Sequence, residues 1–228
     1  MLSEVPPERK FLAWEGRSVY NERRIQNATQ KELPMGREFE LKFQASRQQF
    51  LAIRQAFPQL SPIVMETTYY DTPGDSLSRR NWMLRKRMEN GTAVCTLKTP
   101  LPDGSRGEWE VACDNIRLAV SELCKLKGSQ ELWELVHTGL QERCGARFTR
   151  LAAKIPVEGG EVELALDDGI LFGGRRSMPL LEVEVELKEG REEAALAFAA
   201  KLIREYGLVP EKRSKHQRAL ALTKEKQE

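Results

Sequence analysis

Residues 180–188 read Leu180-Leu181-Glu182-Val183-Glu184-Val185-Glu186-Leu187-Lys188. Side chains alternate across a β-strand, so residues two apart share a face. Glu182, Glu184 and Glu186 therefore point one way, and Val183, Val185 and Leu187 the other. The same division recurs outward from this stretch. Residues 37–43 put Glu38, Glu40 and Lys42 opposite Phe39, Leu41 and Phe43. Residues 82–89 and 92–99, joined by the hairpin signal Asn90-Gly91, put Arg85 and Arg87 opposite Leu84 and Met88, and Thr96 and Lys98 opposite Cys95 and Leu97. Residues 106–112 set Glu108 and Glu110 against Trp109 and Val111, and residues 160–167 set Glu161, Glu163 and Asp167 against Val162, Leu164 and Leu166.

Further strands are predicted over 64–71 and 147–156. Helices are predicted from the Ser46/Gln49 capping box to about Phe57, over 115–126, over 130–144 with Ser129 ahead of it and Gly145 past its end, and over 191–206 with Gly207 as the stop. A short helix follows Ser214. No repeat of 20–50 residues is evident. About eight strands, mostly in hairpin order with helices inserted, define an α+β fold with a large antiparallel sheet.

Runs of same-sign carboxylates fit a solvated face poorly. Like charges about 7 Å apart repel by roughly 2–3 kcal/mol at an effective dielectric near 20. Such a face is either open to water or a metal-and-anion site. A closed or nearly closed eight-stranded β-barrel, with helices on its apolar outside, places strands of opposite sign across one channel. Carboxylates suit hard divalent metals, and Arg and Lys suit phosphate oxygens.

Composition sets the bounds. The 228 residues are 31% charged, yet the net charge is +2. An ordinary domain carries about 25%, so about thirteen charges are in surplus. A nucleic-acid partner is not indicated by so small a net charge or by any exposed basic arm. The longest apolar run, Ala194 to Ala200, falls short of the roughly 18 residues of a membrane span. Cys95, Cys113, Cys124 and Cys144 lack metal-finger spacing and read as reduced thiols, which points to the cytoplasm. With His137 and His216 the only histidines, a histidine-rich metal site is excluded. Residues 1–34 are polar and aperiodic, and read as an N-terminal extension that is flexible or not native. Lys31 and Glu32 can be encoded by AAG GAG, a ribosome-binding sequence shortly before Met35, which makes Met35 an alternative start and 35–228 the domain proper.

Glu38-Phe39-Glu40-Leu41-Lys42 resembles the ExExK signature of CYTH domains, the triphosphate tunnel metalloenzymes. Tyr69-Tyr70-Asp71-Thr72-Pro73, Leu84-Arg85-Lys86-Arg87, Thr96-Leu97-Lys98-Thr99-Pro100, Glu108-Trp109-Glu110, Leu166-Asp167-Asp168-Gly169, the 182–188 run and Ser214-Lys215 extend the resemblance over residues 37 to about 222. It implies an eight-stranded tunnel that binds a triphosphate with Mg or Mn, two ions in all, and hydrolyses a phosphoanhydride. Within the family the chain looks most like bacterial inorganic triphosphatases. Some of these carry a helical, histidine-rich CHAD domain after the CYTH domain, and none is present in these 228 residues. Relatives often place a second basic residue two positions after Arg150; this chain has Ala152 there, and Lys154 is the substitute on offer.

The resemblance also implies roles. Lys42, Arg85, Arg87 and Lys98 hold phosphate oxygens and offset developing charge, with Arg150 and Lys215 as further phosphate contacts. Glu38, Glu40, Glu108, Glu110, Glu182 and Glu184 are the expected metal ligands. Glu163, Asp167 and Glu186 support the basic residues. A class IV adenylyl cyclase, a thiamine or nucleoside triphosphatase, and a non-catalytic polyphosphate-binding module are the alternatives that a similar channel allows.

Overall fold

The computed structural model describes residues 39–101 and 106–224. The extension 1–34 and the turn at 102–104 lie outside the described residues. Among the described residues there are nine strands: β1 Glu40–Gln44, β2 Ser61–Asp71, β3 Met83–Glu89, β4 Thr92–Pro100, β5 Arg106–Ala112, β6 Gln141–Val157, β7 Gly160–Gly173, β8 Arg176–Gly190 and β9 Val209–Pro210. Among the same residues there are five α-helices: α1 Arg47–Ala56, α2 Ile116–Lys127, α3 Glu131–Val136, α4 Glu192–Tyr206 and α5 Lys215–Ala221. The fold is α+β around one antiparallel sheet in the order β5-β4-β3-β2-β6-β7-β8-β1-β9.

Local chemistry marks the element ends. The Ser46 capping box opens α1. The Asn115 side chain accepts from the Arg117 and Leu118 amides at the start of α2. Gly128 (φ 67°) and Gly207 (φ 68°) close α2 and α4 in the left-handed conformation that glycine adopts without penalty. Asn90 and Gly91 both take positive φ, as the predicted two-residue hairpin requires.

The apolar strand faces are covered from outside by two helix pairs. Phe50 and Ile53 of α1 and Phe198 and Leu202 of α4 pack on Leu151, Leu164, Val183 and Val185. Val120 and Leu123 of α2 and Leu132 of α3 pack on Leu84, Cys95 and Leu97. Each fully buried aliphatic side chain of this kind stabilises by about 1.5–3 kcal/mol. Trp82 and Trp109 join the second cluster, as their outward register predicts. The opposite, charged face carries α5, whose Ala219 packs with Met65, Phe148, Leu171 and Leu180.

The expected α+β antiparallel tunnel fold stands, with nine strands described rather than eight; among the described residues β5 and β9 each pair on one side only. β9 stops after two residues, at Pro210, which has no amide N–H to extend the ladder. His216 on α5 lies within electrostatic reach of both Asp71 at the end of β2 and Arg106 on β5. The helix predicted over 130–144 ends at Val136, where Gly139 (φ 117°) turns the chain, and β6 starts at Gln141. Gly145 is a strand residue, not a helix stop. A Cβ there would collide with the Phe172 ring and lie 2.5 Å from the Thr67 carbonyl oxygen, which is backbone and cannot swing away.

Gly145→Ala is therefore expected to cost about 1–3 kcal/mol, read as a lower midpoint in urea unfolding. Gly74→Ala, whose added methyl meets nothing within 4 Å, serves as the control. Equal midpoints for the two variants would contradict the close approach at Gly145.

Candidate functional site

All the described residues singled out from the strands, together with Lys215 from α5, lie toward the charged face; Glu38 is outside the described residues. They form two groups. The first comes from β1, β6, β7, β8 and α5. Ladder register builds it: Arg150 lies opposite Asp167, Asp167 opposite Glu182, and Glu184 opposite Lys42. Asp167 and Glu182 are 0% exposed and Glu184 5%. One carboxylate oxygen from each of the three lies within 4.8 Å of the others.

Such burial is tolerated only where the charges are paired. Arg150 grips Asp167 through Nε and Nη2, both at 2.8 Å, and its Nη2 also donates to Glu184. From α5, Lys215 Nζ sits 2.8 Å from Asp167 Oδ2 and 2.6 Å from Glu184 Oε1, and also contacts Glu182 Oε1. Arg218, one turn on, donates from Nη2 to Glu182 Oε2. Burial pushes Glu182 up to about 7, although Lys215 opposes it. Burial acts on Glu184 in the same direction, but Lys215 and Arg150 outweigh it and hold that carboxyl well below its usual range. Glu40 is also pushed up to about 7, by burial and then by Glu184; Lys42 holds it at 2.9 Å.

The second group stands on β3, β4 and β5. Lys98 Nζ is 2.9 Å from Glu108, and Arg85 Nη2 is 3.5 Å from Glu108 and 3.7 Å from Glu110. Thr96 donates to Glu110 at 2.8 Å. Arg87 pairs with Glu89 at 3.1 Å. Arg85 is 8% exposed. Burial, and then Arg87, lower its pKa. The Nε atoms of Arg85 and Arg87 are both buried without a hydrogen-bond partner. A buried unpaired donor costs about 1–3 kcal/mol, and an anionic oxygen satisfies it. Tyr69 joins the groups: it lies opposite Arg85 in the ladder, and its ring is 4.7 Å from that of His216.

Of the carboxylates expected to ligate metal, Glu182 and Glu184 converge. Glu40 sits with Lys42, while Glu108 and Glu110 sit beside the second group's cations. Asp167, expected in a supporting role, stands with Glu182 and Glu184. Glu163 and Glu186, opposite each other in the ladder, share Lys188 at 3.9 and 2.8 Å. Lys154 reaches Glu161 at 2.8 Å on an exposed end of β6, so it does not fill the place left by Ala152. Arg218 escaped the sequence reading; its spacing of three from Lys215 on a capped helix was the available signal. The three converging carboxylates offer hard oxygen donors and no sulfur or imidazole, a set that fits Mg or Mn.

The CYTH domain model matches residues 36–220, and the chain belongs to that family. An inorganic triphosphatase of Haemophilus influenzae is 27% identical over 142 residues, 61% of this chain and 40% of that protein. The chain thus spans less than half the length of this relative. HpAC1 from Hippeastrum, a protein with a dominant triphosphatase activity, superposes with TM-score 0.57 at 20% identity, over 83% of this chain and 98% of its own. The PH1819 protein of Pyrococcus horikoshii superposes with TM-score 0.54 at 24% identity, over 81% and 98%. These likenesses establish the fold. No helix among the described residues is long and apolar enough to cross a membrane, and all four cysteines are free thiols.

His216 gives a test of the enclosure. Burial lowers its pKa from 6.5 to about 4. Between those values the unfolded chain binds a proton that the native state excludes, so stability falls as pH drops through that window. His216→Phe is expected to flatten this part of the Tm-versus-pH curve. An unchanged slope would show the imidazole to be free to ionise in the fold.

Proposed function

We propose that residues 35–228 form a metal-dependent triphosphatase domain that hydrolyses inorganic triphosphate to pyrophosphate and phosphate. The carrying observation is the presence of two complementary groups on the charged face, one of acids held by exchangeable cations and one of cations with spare donors. Asp167, Glu182 and Glu184 offer converging oxygens, and Arg85 and Arg87 offer buried N–H groups with no acceptor. A triphosphate complexed to Mg or Mn meets both. The described acidic residues Glu40, Asp167, Glu182 and Glu184 hold the metal, and Glu108 and Glu110 are the candidates for a second ion. When bound, the metal polarises a phosphoryl oxygen and lowers the pKa of a bound water.

The chain's own cations do the rest. Arg85 and Arg87 bind phosphate oxygens in forked geometry, Lys98 and Lys42 add point charges, and Arg150 and Lys215 set the carboxylates while facing the same space. Glu163 and Glu186 hold Lys188 at the rim. Helices packed outside keep the strands rigid, and burial of the face strengthens each electrostatic contact.

The test is phosphate release from tripolyphosphate, ATP and thiamine triphosphate with Mg and with Mn. Tripolyphosphate is expected to turn over fastest. Arg85→Ala should lower kcat/KM about 10²–10³-fold, and Glu184→Gln should abolish metal-dependent turnover. Formation of a cyclic nucleotide from ATP would replace this reading with a cyclase. Tight tripolyphosphate binding with no release in either metal would replace it with a binding module.

A further inference from the structure

The two oxygens of Glu182 have different partners. Oε1 shares the ammonium of Lys215 with Asp167 Oδ2 and Glu184 Oε1. Oε2 accepts from Arg218 Nη2. Both cations come from α5, whose first turn is fixed by the Ser214–Gln217 capping box. Arg218 is 5% exposed, and its ion pair is with Glu182, on the side away from the shared ammonium.

We propose that Arg218 is a positioning residue that holds Oε2 of Glu182, so that Oε1 alone is presented, with Asp167 and Glu184, to a divalent cation. This rests on the metal-dependent reading above and deepens it. An ammonium and a divalent cation compete for the same three oxygens, so Lys215 is the group that must yield them. Arg218 occupies the far oxygen and has no such conflict. The planar guanidinium donates here through Nη2 alone, in a direction set by its plane, and so restricts rotation of the carboxylate more than a lysine ammonium on a flexible stem does. Without Arg218, Glu182 is a buried carboxylate with one oxygen unpaired and free to turn. Groups that orient a ligating side chain in this way are worth about 10–100-fold in metal affinity.

The two cations of α5 are therefore expected to act in opposite directions. The readout is Mn²⁺ affinity of the purified chain, measured by electron paramagnetic resonance without any triphosphate. Lys215→Met should tighten binding, because a competitor is gone. Arg218→Ala should weaken it about 10–100-fold, and added guanidinium chloride should recover the loss where methylammonium does not. Arg218→Lys keeps the charge but not the planar, directional donor, and should show a similar weakening. Damage to the fold would weaken both sites' variants together and would lower Tm. Wild-type affinity in Arg218→Lys, or a loss in Arg218→Ala that guanidinium does not recover, would overturn the positioning role while leaving the metal reading intact. If the wild-type chain binds no Mn²⁺, the metal reading itself falls and takes the proposal with it.

Discussion

A buried charge must find its opposite, and the structure is arranged around that demand. Ionised side chains taken out of water cost several kcal/mol each unless their partners are close and well oriented. Here the partners form an alternating chain: Arg218 to Glu182, Lys215 to Glu182, Glu184 and Asp167, then Arg150 back to Asp167 and Glu184. Only a fixed ladder register brings these groups together. Breaking one buried pair typically costs about 3–5 kcal/mol, because the charge left behind has no water to turn to. The outer helices matter for the same reason. By burying the apolar faces they hold the register on which charge compensation depends.

The two groups meet the demand differently. Around Asp167 each carboxylate has a cation, with Lys215 among the acids, although Arg218 Nε lacks a partner. Around Arg85 the compensation is weaker: Glu108 and Glu110 approach at 3.5 and 3.7 Å, and the Nε atoms of both Arg85 and Arg87 remain unanswered. A half whose acids are all paired suits a metal that exchanges with a cation already there. A half with spare donors suits an anion. Tyr69, opposite Arg85 in the ladder, stacks against His216 of the helix that carries Lys215 and so links the two groups.

Much of this was legible in the sequence, because strand faces follow a period of two and the charges obey it. The helix ends at Ser46 and Gly207 followed from local chemistry. Other features depend on relations a linear pattern does not carry. The convergence of Asp167 with Glu182 requires the β7–β8 register. The role of Arg218 requires α5 to lie on the charged face rather than outside it. The stretch 137–144 reads as helix by residue type and Gly145 as its stop, but Gly139 turns the chain, and the Phe172 ring and Thr67 carbonyl leave room for nothing larger than glycine at 145. The ninth strand was not legible, because two residues are too few for alternation to mark.

An open ladder has two edges, and edges recruit foreign strands. β9 offers a recruit two residues, one of them Pro210, which donates nothing. β5 carries Arg106, Glu108 and Glu110 on one face, so a strand added there would have to lay its own side chains against a row of charge. The groups that serve the site thus also keep one molecule from growing onto the next.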